Sequence, residues 1–254
     1  MPTVTCSTDD GLTEIRLDRP DRLNSLDEAM VADFHTALDG VGDARAVLVT
    51  ASGRAFSAGR DLTDAEPLTE DAEAILRDLF NPLLQRIADL EVPTIAAVQG
   101  ACLGVGLGIA FACDVVIAAD DARIGSPFAR IGAVLDSGGH RYLVERVGPH
   151  RALELIYTGK LLSGSEAAAI GLVNRSVPAD ELDGEARSLA RTTAGGPTEA
   201  FRESKRIVRS LAAVQLADVL AAEGAAQGRI ARTADYAEGI TAFQEKRQAT
   251  FTGR

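Results

Sequence analysis

The stretch Pro93–Gly125, PTIAAVQGACLGVGLGIAFACDVVIAADDARIG, decides the fold of this chain. It begins with the apolar run TIAAV, crosses a glycine-rich turn into a short helical segment ending FACD, and continues into VVIAA. Short apolar runs bounded by turn residues predict buried strands. The segment Ile95–Ala118 is long enough to cross a bilayer, but Gln99 and several glycines interrupt it. We therefore predict a buried strand–helix–strand unit and no membrane span.

Strands and helices alternate on both sides of this stretch. VTCST and LTEIRLD flank an Asp-Gly turn and predict a hairpin, while ARAVLVTA predicts a buried strand. Ser25 and Glu28 have the spacing of a capping box, which predicts a helix that begins there and ends near Gly40. Ser163 and Glu166 predict a second capping box.

The chain divides into an α/β part and a helical part. A helical pattern runs from Thr69 to Leu90, and Pro82 within it predicts a kink or break. A Gly-Gly-Pro break at residues 195–197 precedes a helical pattern from Thr198 to about Arg247. We therefore predict an α/β core over residues 1–197 and a helical region over residues 198–254.

Composition narrows the classes of function. With 46% hydrophobic and 25% charged residues, the chain is typical of folded globular proteins. A net charge of −11 without a basic run argues against a nucleic-acid or membrane partner. Cys6, Cys102 and Cys113 show no CxxC spacing and the histidines lie far apart, so we expect no disulfide framework and no metal site. The first residues lack an export pattern, which predicts a cytoplasmic protein.

The glycine-rich turn Gly104–Gly108 allows three interpretations. A dinucleotide site would use Asp120 as its ribose-binding acid, but the spacing is GxGxG instead of GxGxxG and the helix that follows is short. The glycines could serve close packing of a helix against a strand. They could also let backbone N–H groups at a helix N-terminus approach an anionic ligand.

Two further segments are candidates for chemistry. Ala55–Leu62, AFSAGRDL, follows a buried strand and could expose backbone N–H groups in the same way as the glycine turn. Together the two segments would supply the donors of an oxyanion hole, which needs no particular side chain. Asp136, in GAVLDSGG, is either the N-cap of a helix or a base in an apolar pocket, where burial would raise its pKa.

Several stretches in this order resemble the crotonase, or enoyl-CoA hydratase/isomerase, superfamily over almost the whole chain. The stretches that carry the resemblance are RPDRLNSLDEAM (19–30), GRAFSAGRDL (53–62), Pro93–Gly132, LLSGSEAAAIGLVNRSVP (161–178) and FQEKRQATFTGR (243–254). The resemblance implies a spiral core of ββα units, a C-terminal helical trimerisation region, and a homotrimer or dimer of trimers. It also implies an acyl-CoA thioester as substrate, with coenzyme A as part of that substrate and no other cofactor.

The resemblance also assigns roles to residues. The backbone N–H groups of Arg60 and Val105 match the two donors of the oxyanion hole, although Val105 stands where glycine is common. Arg22 and Lys246 lie near positions that meet CoA phosphates in the family. The other positions that the resemblance places at the substrate or the CoA arm are Ala58, Gly59, Asp61, Leu62, Gly104 and Phe128.

The catalytic acids depart from the hydratase pattern. Family hydratases use two glutamates to manage a water molecule, and the matching positions here are Gly108 and Phe128, which cannot ionise. Asp136 resembles the acid of the isomerase branch, so we expect it to shuttle a proton and shift a double bond in an enoyl-CoA. Two alternatives remain: a nucleophilic aspartate, as in family dehalogenases, or an acyl-CoA binder without turnover.

Overall fold

The computed structural model describes residues 2–63, 65–66, 69–211 and 215–251. Its strands are β1 (Val4–Asp9), β2 (Leu12–Leu17), β3 (Ala46–Ala51), β4 (Thr94–Val98), β5 (Ala101–Leu103), β6 (Val115–Ala119), β7 (Arg123–Gly125), β8 (Leu162–Ser163) and β9 (Arg175–Val177). The main sheet has the order β1-β2-β3-β4-β6-β9, and a smaller sheet has the order β5-β7-β8. β1 and β2 form the predicted antiparallel hairpin, and the remaining pairs of the main sheet are parallel.

The α-helices alternate with the strands in the first part of the chain, and the last of them follow β9. They are α1 (Glu28–Asp39), α2 (Ala72–Ile75), α3 (Asn81–Asp89), α4 (Val105–Ala112), α5 (Gly139–Thr158), α6 (Gly164–Ala169), α7 (Leu182–Ala194), α8 (Thr198–Ser210), α9 (Leu216–Ile230) and α10 (Ala234–Gln244). Short 3₁₀ helices span Pro20–Arg22 and Phe128–Ile131. The strand–helix–strand prediction for the central stretch is confirmed, and β5 is an additional strand inside it.

One of the two predicted capping boxes is present. At the start of α6 the Ser163 hydroxyl accepts from the Glu166 N–H, and the Glu166 side chain accepts from the Ser163 N–H. The box predicted at Ser25 is wrong, because α1 begins two residues later and Asp27 caps it by accepting from the Met30 N–H at 2.9 Å. Any of serine, aspartate and asparagine can cap a helix, and several stand side by side here.

The helix predicted from Thr69 is shorter and is interrupted. It begins at Ala72, capped by Asp71, and Leu76–Phe80 adopts π-helical hydrogen bonding before α3 starts at Asn81. The interruption predicted at Pro82 is this π-helical segment, which lies directly before α3 and ends two residues before the proline.

The C-terminal helices pack on the α/β core. α9 contacts α2 and α3, and α10 contacts the 3₁₀ helix Phe128–Ile131. The predicted helical tail crosses residues 212–214, which lie outside the described residues, and the domain division at residue 197 stays a prediction. Within the described ranges, the model contains no helix with the length and apolarity needed to cross a membrane.

Candidate active site

The loop after β3 and the turn after β5 lie against each other. The Ser57 N–H donates to the Ala101 carbonyl at 2.9 Å, and the Leu103 N–H donates to the Ser57 carbonyl at 3.0 Å. A Cβ added to Gly59 would lie 2.9 Å from the Leu103 carbonyl oxygen and 3.7 Å from the Gly104 Cα. Glycine at position 59 therefore permits the close approach that brings the two segments predicted to form an oxyanion hole together.

Two backbone N–H groups at this contact have no acceptor among the residues that the structure describes. The neighbouring Gly59 N–H donates to the Ser57 hydroxyl, and the Asp61 N–H donates to the Leu26 carbonyl. Among the described residues, neither the Arg60 N–H nor the Val105 N–H has a hydrogen-bond partner. Val105 is the first residue of α4, where helical geometry leaves the N–H free. Both N–H groups are therefore available to donate to a ligand.

These N–H groups belong to residues that line a cavity of about 330 Å³. Its walls are mostly apolar and come from the two loops, from α2 and the π-helical segment after it, from the 3₁₀ helix Phe128–Ile131, and from α9 and α10. The predicted site residues that line it are Ala58, Gly59, Arg60, Leu62, Gly104, Val105, Phe128 and Asp136. The structure therefore brings together most of the residues that the sequence singled out.

Asp136 is the carboxylate in this apolar cavity wall. It is one of the residues that line the cavity, and its Oδ1 accepts from the Ser137 hydroxyl at 2.6 Å. The pKa of Asp136 is raised to about 7, mainly by burial and also by the Glu223 carboxylate, while the Ser137 hydrogen bond, Arg60 and His140 act to lower it. The group can therefore accept and return a proton near neutral pH.

The alternative interpretation of Asp136 as a helix cap is wrong. α5 begins at Gly139, and Gly138 occupies its N-cap position. The Asp136 side chain accepts from Ser137, while only its backbone carbonyl accepts from the Gly139 N–H. The carboxylate is therefore available to the cavity.

The two positions predicted to match the hydratase glutamates, Gly108 and Phe128, carry no ionisable side chain. A Cβ on Gly108 would lie 2.7 Å from the Ser137 Cβ and 2.8 Å from the Ser137 carbonyl oxygen, so no side chain fits there. Phe128 places its ring edge 3.3 Å from the Cβ position of Gly104. Close packing thus explains Gly108 in the glycine turn, and an aromatic wall replaces the second acid.

We expect Gly108→Ala to destabilise the protein by about 1–3 kcal/mol, because the added methyl group overlaps the Ser137 backbone. Urea unfolding measures the change. Gly184→Ala in α7 is the matched control, since nothing lies within 4 Å of its Cβ position, and it should stabilise the helix slightly. Equal stability of Gly108→Ala and wild type would contradict the tight packing that excludes a glutamate here.

A polar cluster that no sequence motif indicated lies at the cavity. The Arg60 guanidinium donates to both Glu70 oxygens at 2.9 and 2.8 Å, and the Tyr236 hydroxyl lies 3.4 Å from Glu70. Burial raises the pKa of Tyr236 to about 12, so its hydroxyl stays protonated. Arg60 and Glu70 lie 10 residues apart, Tyr236 lies 166 residues after Glu70, and no motif links the three in the sequence.

Three predicted contact residues do not line the cavity. The Asp61 carboxylate accepts from the Arg19 guanidinium at 3.0 Å and from the Thr63 N–H and hydroxyl, so it organises its own loop. Arg22 lies exposed in the 3₁₀ helix Pro20–Arg22, and Lys246 lies exposed after α10. The role of Arg22 and Lys246 toward CoA phosphates stays a prediction.

Comparison with known proteins gives one consistent result. The family described as enoyl-CoA hydratase/isomerase matches residues 7–254. A probable enoyl-CoA hydratase of Rhodobacter capsulatus is 39% identical over 253 residues, covering 99% of this chain and 98% of that protein. The 1,2-epoxyphenylacetyl-CoA isomerase of Escherichia coli (strain K12) is 34% identical over 261 residues, covering 100% of both chains.

Comparison with solved structures indicates the same family as the sequence comparison. The crystal structure of an enoyl-CoA hydratase from Mycobacterium avium subsp. paratuberculosis K-10 has a TM-score of 0.88 and 31% identity to this chain, covering 98% of each. The predicted crotonase-like α/β fold is thereby confirmed. The chain belongs to the enoyl-CoA hydratase/isomerase family of the crotonase superfamily.

Proposed function

We propose that this chain is an enoyl-CoA isomerase that moves a double bond into conjugation with the thioester. The observation that carries the proposal is Asp136, a carboxylate with a pKa raised to about 7 in the same cavity as the free N–H groups of Arg60 and Val105. The thioester carbonyl oxygen would accept from both N–H groups. CoA is then part of the substrate, and the reaction requires no further cofactor.

One base suffices for this reaction. Asp136 takes the C2 proton of a 3-enoyl-CoA, and the electron pair of that C–H bond passes into a dienolate whose oxygen carries the charge. The dienolate then takes the same proton back at C4, which leaves the double bond between C2 and C3. Each N–H donor to the oxygen contributes about 3–4 kcal/mol to lowering the barrier.

The surroundings of Asp136 favour isomerisation over hydration. Hydration needs a second group to hold and activate water, and Gly108 and Phe128 offer none. The apolar wall with Phe128 excludes water from the dienolate. Among the relatives, the isomerase of Escherichia coli supports this choice, whereas the hydratase names of other relatives support only the family.

An assay with two substrates tests the proposal. A 3-enoyl-CoA and a 2-enoyl-CoA are offered in parallel, and the conjugated thioester is followed by its absorbance. We expect the conjugated product to form from the first substrate, with no loss of the second. Conversion of the 2-enoyl-CoA to a hydroxyacyl-CoA would contradict the proposal. If the protein binds acyl-CoA but turns over neither substrate, the result would favour the non-catalytic binder. Release of halide from a halogenated aromatic acyl-CoA would favour the nucleophilic aspartate.

The rate of isomerisation should fall as the pH falls through about 7, because the base acts only as a carboxylate. Below that pH, kcat/KM is expected to drop about tenfold per pH unit, since one proton inactivates the base. A pH profile between 5 and 9 in constant ionic strength measures this. A rate that stays constant down to pH 5 would show that the reacting base is not the buried Asp136.

We also infer that the chain assembles as a homotrimer or dimer of trimers. Ile207, Val208 and Leu211 on and after α8 are 52%, 68% and 76% exposed, which leaves an apolar strip on the surface of one subunit. Burial of such a strip between subunits is favourable. Light scattering gives the assembly mass directly, and a monomer at micromolar concentration would contradict the inference.

A further inference from the structure

The segment that carries Asp136 has an unusual backbone. Ser137 and Gly138 have φ angles of 60° and 75°, so two consecutive residues adopt the left-handed conformation directly after the carboxylate. Ser137 is not a glycine, and this conformation costs energy for it. The helix α5 that follows has no side-chain cap from its own N-terminal residue. Groups outside the segment must therefore hold it in place.

Glu223 of α9 holds the end of this segment. Its side chain is 4% exposed, and its two oxygens accept from the Gly138 N–H at 2.7 Å and from the His140 N–H at 3.0 Å. The same carboxylate contacts the His140 Nδ1 at 2.7 Å. Glu223 thus supplies, from a distant helix, the cap that α5 lacks, and a negative charge is favourable at that helix end.

Gln227 holds the other end of the segment. It lies one turn after Glu223 on the same face of α9, is 7% exposed, and its Oε1 accepts from the Val134 N–H at 3.0 Å. The two side chains therefore bind the backbone two residues before Asp136 and two residues after it. Asp136 lies at the centre of this bracket.

We propose that Glu223 and Gln227 are positioning residues that hold Asp136 in its reactive place from α9. The proposal rests on the proposed function in so far as Asp136 is the base. Neither residue is assigned the transfer of a proton. A displacement of about 1 Å at a reacting group can lower a rate by two orders of magnitude, so such positioning has a measurable effect.

Glu223 also contributes to the electrostatic surroundings of Asp136. The charged and titratable groups around Asp136 are Arg60, which is paired with Glu70, Tyr236 of α10, His140 of α5 and Glu223 of α9. The negative charge of the Glu223 carboxylate lies against the Gly138 N–H, the His140 N–H and the His140 ring. This charge disfavours ionisation of Asp136 and so supports its raised pKa.

Two variants of the whole protein separate the geometric effect of α9 on Asp136 from the electrostatic effect of Glu223. Glu223→Gln keeps the side-chain shape but removes the charge and one of the two acceptors, whereas Gln227→Leu removes an acceptor without changing charge. Asp218→Asn is the matched control, because it removes one exposed carboxylate from the same helix. We expect kcat on a 3-enoyl-CoA to fall at least about tenfold in both variants with KM within about threefold, and to stay unchanged in the control.

A measurement without substrate tests whether Glu223 acts on Asp136, independently of the reaction. Carbon-13 NMR of aspartate-labelled protein follows the Asp136 carboxyl titration, with its signal assigned by its loss in Asp136→Asn. In Glu223→Gln we expect the titration midpoint to move to lower pH, and in Asp218→Asn to stay in place. The midpoint reports the electrostatic contribution, which a merely structural role of Glu223 would not change.

The outcomes distinguish the two proposals. Wild-type kcat in both variants would overturn the positioning role, and an unchanged midpoint in Glu223→Gln would show that Glu223 does not act on Asp136. A shifted midpoint in a protein that isomerises no enoyl-CoA would overturn the proposed function and leave the action of Glu223 on Asp136 intact. If Glu223→Gln fails to fold, Gln227→Leu decides by kcat, because it leaves every charge and the α5 cap in place.

Discussion

Asp136→Asn is expected to lower kcat for a 3-enoyl-CoA by about 10³-fold, the size of effect that a positioned general base supplies. Asparagine has the shape of aspartate, and its side-chain oxygen can still accept from the Ser137 hydroxyl. It cannot take a proton at any pH used in the assay. Steady-state kinetics on the purified variant measure kcat and KM, and KM should change little because the amide still fills the same cavity wall.

Urea unfolding tests whether the lower kcat of Asp136→Asn comes from a less stable protein. The pKa of Asp136 is raised from 3.8 to about 7 in the folded protein, so the folded state binds this proton more tightly than the unfolded state. The stabilisation that this proton gives is complete below pH 3.8 and is lost as the pH rises through 7. Asparagine carries no charge to bury, so Asp136→Asn should unfold at no lower urea concentration than wild type at pH 8. Retention of more than a tenth of wild-type kcat would contradict the role of Asp136.

Local sequence signals predicted the parts of the site that lie on short, continuous segments. The glycine turn after β5, the loop Ala55–Leu62 and Asp136 each follow an apolar run, and chain direction alone places them at strand ends or before a helix. Such signals depend on neighbours in sequence, and the structure brings all three segments to one cavity.

The rest of the site depends on contacts between distant segments. Glu70 meets Arg60, Tyr236 approaches Glu70 from α10, and Glu223 and Gln227 reach the Asp136 segment from about 90 residues further along the chain. In sequence Glu70 is an ordinary loop residue before α2, and Tyr236, Glu223 and Gln227 are ordinary polar residues on helices, so only tertiary packing brings them to the site. Local sequence also could not place the cap of α1, because Ser25 and Asp27 are equally good N-cap residues.

Val105→Pro is expected to lower kcat by about 10²–10³-fold, because it deletes one N–H donor of the oxyanion hole. A backbone donor survives ordinary side-chain substitutions, and proline is the residue that removes it. Position 105 is the first residue of α4, where proline is well tolerated and no helical hydrogen bond is lost. Gly104 precedes it with φ 51° and ψ −123°, a conformation that glycine, lacking a Cβ, adopts without strain.

Val105→Ala is the control that separates the N–H group from the side chain. It removes two methyl groups from a residue that is 3% exposed, but it keeps the donor, so kcat should stay within about threefold of wild type. The ratio of the proline to the alanine variant then measures what the N–H contributes to binding the dienolate oxygen. Equal kcat in the two variants would place the thioester oxygen elsewhere in the cavity. A large loss confined to proline, with acyl-CoA affinity preserved, is what a donor that acts mainly on the dienolate requires, because its hydrogen bond strengthens as charge develops on the oxygen.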